Sequence, residues 1–239
     1  MSIRVISAAV VTAAGLAFAT CGPAVAAPAH AGTPATSAAG VVQLTGVQML
    51  SALLPGSYFP AGYKLDKSGV YDSGKHLETS AAKYHISSMS CSSFSDHFGH
   101  TGFGETAIAS DDFDFGSADS KSYGQQVYQF KTSAAATAFY SGSRTIFAKC
   151  LAAALGGDPS GSKITVRVFT AASIGGHRTF QVNESGTILS YKFDIGLVVS
   201  LAGTDVFMTG AAGIMAAQPT SPSDRTLMPK LIDRVRAYR

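Results

Sequence analysis

The stretch that decides the fold is residues 189–202, which have the sequence LSYKFDIGLVVSLA. Its first half alternates large apolar side chains with polar ones: Leu189, Tyr191, Phe193 and Ile195 against Ser190, Lys192 and Asp194. A period of two predicts a strand with one face buried and the other in water. Leu197 to Ala202 is a nearly continuous apolar run, which predicts a strand in the middle of a sheet, and we expect a turn at Ile195-Gly196 between the two segments.

The same alternation continues upstream of this stretch. Ile164, Val166 and Val168 alternate with Thr165 and Arg167, Phe180 and Val182 follow, and Asn183 to Gly186 has the composition of a turn between strands. Glu105 to Phe115 and Tyr123 to Lys131 predict an earlier strand pair, joined by the polar turn Gly116 to Ser122. Strands that follow one another in sequence favour an antiparallel sheet.

Three helices are expected beside this sheet. Thr45-x-x-Gln48 is a capping box that begins a helix ended by Pro55-Gly56, Ser133 is expected to cap a long Ala-rich helix ended by Gly156-Gly157, and Ser221 to Asp224 precedes a C-terminal helix. Their predicted apolar faces are Val47, Met49, Leu50, Leu53 and Leu54; Ala135, Ala138, Phe139, Gly142, Ile146 and Cys150; and Leu227, Leu231, Val235 and Tyr238. Residues 55–90 are expected to be loop with short strands. The fold class is therefore α+β, an antiparallel β-sheet flanked by helices in a single domain.

The basic residues of the last helix are assigned to a solvated face in preference to a membrane contact. They are Arg225, Lys230, Arg234, Arg236 and Arg239. The net charge of the 239-residue chain is only +3, and no Lys/Arg run is present. Nucleic-acid binding needs a clustered basic footprint, so that class of function is excluded.

The N-terminus has the pattern of an export signal. Arg4 precedes an apolar run from Val5 to Ala19, and Ala24-Val25-Ala26 is an A-x-A cleavage site. Ala29-His30-Ala31 is a second candidate site, and an uncleaved anchor is the alternative. We therefore expect a signal peptide at 1–26, a flexible Ala/Pro/Ser/Thr linker at 27–44 and the folded domain at 45–239, with no integral membrane span after cleavage.

The cysteines predict one disulfide. Cys21 is expected to leave with the signal peptide, and Phe18-Ala19-Thr20 before it is a poor lipoprotein signal, so lipid anchoring is not expected. Cys91 and Cys150 then remain as an even pair in an exported protein, which favours a disulfide over two free thiols. Neither cysteine has further ligands near it at metal spacing.

Metal and phosphate sites are considered and not favoured. His97 and His100 are three residues apart and the acidic Asp111, Asp112 and Asp114 follow, but Gly99 favours a loop, with two solvent-facing histidines. The glycine-rich segment Gly99 to Gly104 precedes a strand, whereas a phosphate loop lies between a strand and a helix N-terminus. We expect no metal and no cofactor.

Catalytic arrangements are also weak. No G-x-S-x-G motif occurs, and His177 has no acidic partner visible in the sequence. Glu105 with the aspartates of the same segment could form a carboxylate pair, but strand-end residues of this kind are more often hydrated. The aromatic residues of 56–104 favour a loop packed over the sheet, with a recognition surface as the alternative: Tyr58, Phe59, Tyr63, Tyr71, Phe94, Phe98 and Phe103.

The order of these elements resembles the PknH-like extracellular sensor-domain family of actinobacteria. The resemblance covers about 45–239 and rests on Leu53-Leu54-Pro55, Tyr128-Gln129-Phe130, Lys149-Cys150, the late strand pair and the final amphipathic helix. It implies an antiparallel sheet with helices, a cleft, an unidentified ligand and no catalytic residues. It also implies a bridge from Cys91, in the loop after the first helix, to Cys150. The second bridge of the kinase member is missing, since no Cys follows Cys150.

The sequence as a whole predicts an exported or extracellular binding or sensor domain of the cell envelope that is not an enzyme. Its expected partner is a small molecule, a glycan, a lipid or an envelope protein, and signalling would need a partner protein. A structural or protein-interaction role in the envelope is the alternative, and a secreted hydrolase is less favoured. A cleft with a few converging polar groups would favour the first hypothesis, and an exposed apolar patch the second.

Overall fold

The computed structural model of the protein describes residues 42–115, 121–155, 163–188, 191–214 and 224–239. The predicted signal peptide, both candidate cleavage sites, Cys21 and nearly all of the linker lie outside these residues. So do most of the predicted turn at Gly116 to Ser122 and the start of the segment at Ser221. None of the helices in the described ranges combines the length and the apolarity that crossing a bilayer requires.

The described strands form one antiparallel sheet in the order β1-β2-β3-β7-β6-β5-β4. The strands are β1 Tyr63–Asp72, β2 Glu105–Phe115, β3 Lys121–Phe130, β4 Lys163–Ile174, β5 His177–Ile188, β6 Tyr191–Ala202 and β7 Asp205–Ile214. β1 to β3 are one meander and β4 to β6 another. β7 is the last of the described strands and lies between them, paired with β3 on one side and β6 on the other. The predicted α+β class with an antiparallel sheet is confirmed.

Helices cover both faces of the sheet. They are α1 Gly46–Ala52, α2 Cys91–His97, α3 Ser133–Leu155 and α4 Leu227–Ala237, with short 3-10 turns at Gly56–Tyr58, Ile86–Ser88 and Asp224–Thr226. α2 and α3 pack on one face, over a core that includes Ile108, Tyr128, Phe147, Phe180 and Met208. α1 and α4 pack on the other, over a core that includes Met49, Val127, Val198, Phe207 and Leu231. We refer to these as the α3 face and the α1/α4 face.

Side-chain caps explain where the helices begin. The Thr45 Oγ1 accepts from the Gln48 N–H at 3.3 Å and the Gln48 Oε1 accepts from the Thr45 N–H at 2.9 Å, which confirms the capping box. The long helix α3 is capped by Thr132, whose Oγ1 accepts from the Ala135 N–H at 3.2 Å. The prediction that Ser133 caps it was wrong by one residue, because Ser133 is already helical.

Two predicted turns are strand interiors. Asn183 to Gly186 lies inside β5, where Asn183 pairs with Gly196 and Gly186 pairs with Phe193. Ile195-Gly196 therefore lies inside β6, which is a single twelve-residue strand. Both segments have strands on both sides, and the hydrogen bonds of two ladders outweigh the local preference of Asn and Gly for turns. Residues 63–72, expected to be mostly loop, form the continuous edge strand β1.

Some residues of the predicted apolar helix faces are exposed. Val47 is 40% exposed and Tyr238 is 47% exposed. On α4 the buried stripe is instead Leu227, Met228, Leu231, Ile232 and Val235. The expectation of a solvated basic face on this helix was wrong for three arginines, because Arg225, Arg234 and Arg239 bind backbone carbonyls or buried side chains.

Candidate functional site

A disulfide joins Cys91 to Cys150 and fixes α2 across the α3 face. Cys91 is the first residue of α2 rather than a loop residue, and Cys150 is fully buried on α3. The two Cα atoms are 5.1 Å apart. Beside the bridge, the Lys149 ammonium donates to the Met89 carbonyl at 3.1 Å. The start of α2 is therefore attached to α3 by one covalent bond and one hydrogen bond.

Aromatic rings fill the space between α2, α3 and the sheet. The Phe94 ring meets the Phe147 ring edge-on with centroids 5.3 Å apart, and Phe103 meets Phe139 at 5.4 Å. The buried Tyr128 hydroxyl accepts from the Gly99 N–H at 3.0 Å, where the chain leaves α2. Most of the aromatic residues singled out in 56–104 therefore pack the loop onto the sheet, although Tyr58 is exposed.

The two histidines of this loop pack as rings. His97 stacks on Tyr84 with centroids 4.2 Å apart, and His100 meets Tyr71 edge-on at 5.1 Å. His97 is partly buried and His100 exposed, so the expectation of two solvent-facing histidines holds for His100 only. Within the described residues, no group of three or more His, Cys, Asp or Glu side chains is placed to hold a metal ion.

The glycine-rich segment binds a carboxylate of the same chain. The Gly102 and Phe103 N–H groups each donate to the Glu105 carboxylate at 2.8 Å. Gly102 and Gly104 have φ of +130° and +81°, a backbone conformation that favours glycine. These donors are occupied by Glu105, and this arrangement favours a structural turn over either a phosphate loop or a catalytic role for Glu105.

The acidic residues of β2 are divided between the two faces of the sheet. Successive side chains of a strand alternate, so Asp111 lies on the α1/α4 face while Asp112 and Asp114 lie on the α3 face. Asp111 is next to Gln125, and its burial raises the pKa of its carboxyl to about 7. The alternative that Asp111 joins Asp112 and Asp114 at one metal or catalytic centre, which the sequence did not favour, is therefore not supported.

Beyond α2, the α3 face of the sheet carries a row of mostly small residues with carboxylates at both ends. The strand register places Asp112 beside Gly124 and Gly124 beside Gly210, and in the next row Asp114 beside Ser122 and Ser122 beside Ala212. Ala212 is beside the buried Ile195, which is beside Glu184. We call this set the acidic floor: Asp112, Asp114, Ser122, Gly124, Gly210, Ala212, Ile195 and Glu184.

Glu184 is the unusual member of the acidic floor. It follows Phe180 and Val182 on the inward side of β5 and is only 5% exposed. Its carboxyl oxygens are not among the buried atoms without a hydrogen-bond partner, which within the described residues are Asp111 Oδ1, Asp114 Oδ1 and Arg239 Nε. Burial raises its pKa to about 7. A largely buried carboxyl with a raised pKa is a candidate ligand contact.

At the other end, Asp114 has unused bonding capacity. Its Oδ1 is buried and has no hydrogen-bond partner. Burial raises the pKa of Asp114, and the neighbouring Asp66 carboxylate adds to this effect. Four strand spacings separate the Asp114 and Glu184 backbones, on the order of 19 Å at about 4.8 Å per spacing. The sequence singled out Asp112 and Asp114 for other reasons and missed Glu184.

His177, the other catalytic candidate, lies at the turn between β4 and β5. Its backbone carbonyl accepts from the Thr179 hydroxyl at 3.1 Å. Partial burial lowers the pKa of its imidazole, and the Arg236 guanidinium lowers it further. This position is on neither the acidic floor nor the aromatic cluster under α3.

The fold is shared with an extracellular domain of known structure. The extracellular domain of PknH from Mycobacterium tuberculosis, a solved structure, matches 81% of this chain and 97% of its own length with a TM-score of 0.53 and 16% identity. An uncharacterized protein from Mycobacterium smegmatis matches 80% of this chain and 97% of its own with a TM-score of 0.43 and 11% identity. No family model and no curated protein matches the sequence. At 16% identity, the likeness to PknH establishes the fold alone.

Proposed function

We propose that this protein is an exported extracellular domain that binds a ligand on the acidic floor and catalyses no reaction. The export pattern of residues 1–26 and the disulfide support a location outside the cytoplasm, because disulfides persist in oxidising compartments. The fold shared with the extracellular domain of PknH supports the same location and a sensor role. A sensor domain of this kind would pass its signal to a partner protein.

The observation that carries this proposal is the pair of carboxyls at the two ends of the floor: Glu184 is only 5% exposed, and the Asp114 Oδ1 is buried without a hydrogen-bond partner. Leaving a polar group unpaired in the interior costs about 1–3 kcal/mol, and more for a charged group. A ligand that supplies the missing donor regains this energy on binding. The neighbouring Gly210 and Ala212 carry no side chain or only a methyl group.

The same geometry gives little support to hydrolysis. General acid–base catalysis by two carboxyls requires them to flank one bond, at most about 9.5 Å apart. Glu184 and Asp114 are about twice that distance apart by strand count. The large exposed hydrophobic residues in the described ranges are spread over separate elements, from Val42 to Phe169 and Tyr238. An apolar docking patch of an interaction protein is therefore not favoured either.

The test is a ligand screen that compares the wild type with a variant in which a larger side chain covers the acidic floor. Ala212→Leu adds a bulky side chain beside Ser122 and Ile195, and the matched control is Ala138→Leu on the exposed side of α3. Envelope glycans, lipids, peptides and amines are screened by thermal shift with the mature protein from Ala27 onward. We expect at least one ligand to raise the midpoint of the wild type and the control but not of Ala212→Leu.

Two results would contradict the proposed function. Ligands that stabilise Ala212→Leu as much as the wild type would move binding away from the acidic floor. If any compound in the screen is turned over, and substitution of one polar residue abolishes this turnover, the claim of no catalysis is overturned. Circular dichroism of each variant shows whether it is folded, and Ser122→Val serves as a smaller change if Ala212→Leu does not fold.

A further inference from the structure

The two edges of the sheet differ in how they are protected. An unpaired strand edge presents free N–H and C=O groups, and proteins usually blunt it with bulges or charges. At one edge, the pairing of β1 with β2 is interrupted between Asp66 and Tyr71, and the Asp66 carboxylate accepts from the Ser68 N–H at 2.9 Å. At the other edge, β4 pairs with β5 without interruption from Lys163 to Ala171. The edge of β4 is therefore the more regular one.

The outer edge of β4 has the backbone groups needed to bind a further strand. In an antiparallel ladder, every second residue turns its N–H and C=O away from its partner strand. Over the nine consecutive pairs with β5, about four residues of β4 therefore turn these groups outward. No described strand pairs with them, because β4 is the last strand in the order of the sheet.

Exposed side chains of β4 add an apolar and a basic contact. Phe169 is 39% exposed, and Arg167, two residues earlier on the same side of the strand, is also exposed. Their register neighbours on β5 are Gln181 and Asn183, and the Gln181 Nε2 donates to the Asn183 Oδ1 at 3.0 Å. No ion pair joins Arg167 to a residue in the described ranges. The Arg167 guanidinium is thus free to pair with an incoming carboxylate.

We propose that the outer edge of β4 binds an extended acidic segment of a partner protein as an added antiparallel strand. The added strand places an apolar side chain beside Phe169 and, two residues further along, a carboxylate beside Arg167. Main-chain hydrogen bonds to β4 provide affinity, and the two side-chain contacts provide specificity. Val168 packs against the core of the α3 face, so Arg167 and Phe169 lie on the opposite side from the acidic floor. The inference therefore goes beyond the proposed function.

The charge of β4 favours an acidic partner over a second copy of this chain. The twelve residues of β4 include Lys163 and Arg167 and no Asp or Glu. The Arg225 guanidinium donates to the Ala172 carbonyl at 2.9 Å and adds a third positive charge beside the strand. A second copy would bring two basic strands together, and like charges on paired strands are destabilising.

The experiment measures binding of a labelled nine-residue peptide to the mature protein by fluorescence polarisation. The peptide alternates threonine and serine, except that its fourth residue is phenylalanine and its sixth is glutamate. A second peptide has lysine in place of the glutamate. We expect the glutamate peptide to bind and the lysine peptide to bind at least about fivefold more weakly, because a like-charge pair replaces an attractive cross-strand pair. Amide hydrogen exchange should slow in residues 164–171 of the complex and not in residues 63–72.

Variants at the two edges locate the binding surface. Phe169→Asp should weaken binding of the glutamate peptide at least about tenfold, because the apolar contact is lost. The matched control is Leu65→Asp, since Leu65 is 47% exposed on the opposite edge strand β1, and the affinity should change less than about twofold. Arg167→Glu should reverse the preference, so that the lysine peptide binds more tightly than the glutamate peptide. Circular dichroism shows whether each variant is folded, and Phe169→Thr is the milder change if Phe169→Asp is not.

Several results would overturn the inference. Undetectable binding of the glutamate peptide is one, and equal weakening by Leu65→Asp and Phe169→Asp is another. Unchanged exchange of the β4 amides would exclude an added strand, and an unchanged preference in Arg167→Glu would exclude the acidic partner. If sedimentation shows that the wild type dimerises and that Phe169→Asp does not, a second copy occupies this edge instead.

Discussion

Gln125 on β3 binds both backbone groups of Leu54, just beyond the end of α1. The Leu54 N–H donates to the Gln125 Oε1 at 3.0 Å, and the Gln125 Nε2 donates to the Leu54 carbonyl at 2.7 Å. Both residues are almost fully buried. The Gln125 side chain thus satisfies the backbone N–H and C=O of Leu54, which belongs to neither a helix nor a strand and has no backbone partner there.

Replacing Gln125 with Leu should therefore be costly. Two buried backbone groups would lose their partners, at about 1–3 kcal/mol each, so we expect the free energy of unfolding, measured in urea, to decrease by roughly 2–6 kcal/mol. Gln126→Leu is the matched control, since the next side chain points to the α3 face and is partly exposed. Equal losses for the two variants would show that the Leu54 contact contributes little.

The disulfide should contribute strongly to stability. Cys91 and Cys150 are 59 residues apart, and closing a loop of that length contributes about 4 kcal/mol in the chain-entropy model. Cys91→Ser and Cys150→Ala should both lower the melting midpoint by a similar amount, measured by calorimetry. The mature protein should show no titratable thiol without reductant, and two thiols together with an unchanged midpoint would contradict the bridge.

The ion pair between Arg239 and Asp205 should be sensitive to loss of either partner. The Arg239 guanidinium donates to the Asp205 carboxylate at 2.8 Å and to the Gln129 Oε1 at 3.0 Å, and Asp205 is fully buried. Removing one partner of a buried pair costs about 3–5 kcal/mol, which is expected for Arg239→Ala in urea unfolding. Arg236→Ala, an exposed arginine of the last turn of α4, should cost less than about 0.5 kcal/mol.

Stability should fall as the pH rises from 5 to 8. Burial raises the pKa of Asp111 and of Glu184 to about 7 in the folded protein, above the ordinary values of 3.8 and 4.5. The folded state then keeps protons that the unfolded state has lost, so stability decreases up to about pH 7. The expected decrease is on the order of 2 kcal/mol for each carboxyl.

Substituting each carboxyl separates its contribution to the pH dependence of stability from the contributions of other titrating groups. Asp111→Asn and Glu184→Gln should each flatten the stability profile measured by urea unfolding between pH 5 and pH 8. Gln125, the register neighbour of Asp111, and Ile195, a register neighbour of Glu184, do not titrate. The lowered pKa of His177 acts in the opposite direction, and both variants retain it. A steeper profile in either variant would contradict the assignment.

Elements with strong local signals could be predicted from the sequence. β2 spans Glu105–Phe115, the range predicted for it, and α1 begins at its capping box. β7 could not be predicted, because Thr209 to Ile214 is mostly Gly and Ala, which have low strand propensity. Its strand conformation is imposed by pairing with β3 and β6, a tertiary effect that no short window contains.

Glu184 was missed for a related reason. Its neighbours Asn183, Ser185 and Gly186 predict a turn between strands, and a buried position for Glu184 is not expected in such a turn. The sequence did contain a usable signal. Phe180, Val182 and Glu184 are spaced two residues apart, so Glu184 is predicted to lie on the same, inward side of the strand as the two apolar residues. The opposite acidic end of the floor depends on register across five strands, and sequence alone does not give this.

The position of β7 determines when the native sheet can form. Its two neighbours, β3 and β6, belong to separate meanders, and each presents an unpaired edge until Asp205–Ile214 arrives. A chain emerging from a ribosome would hold two three-stranded ribbons with open edges, which are prone to pair wrongly with other chains. The two ribbons therefore join into one sheet only after β7 has been synthesised.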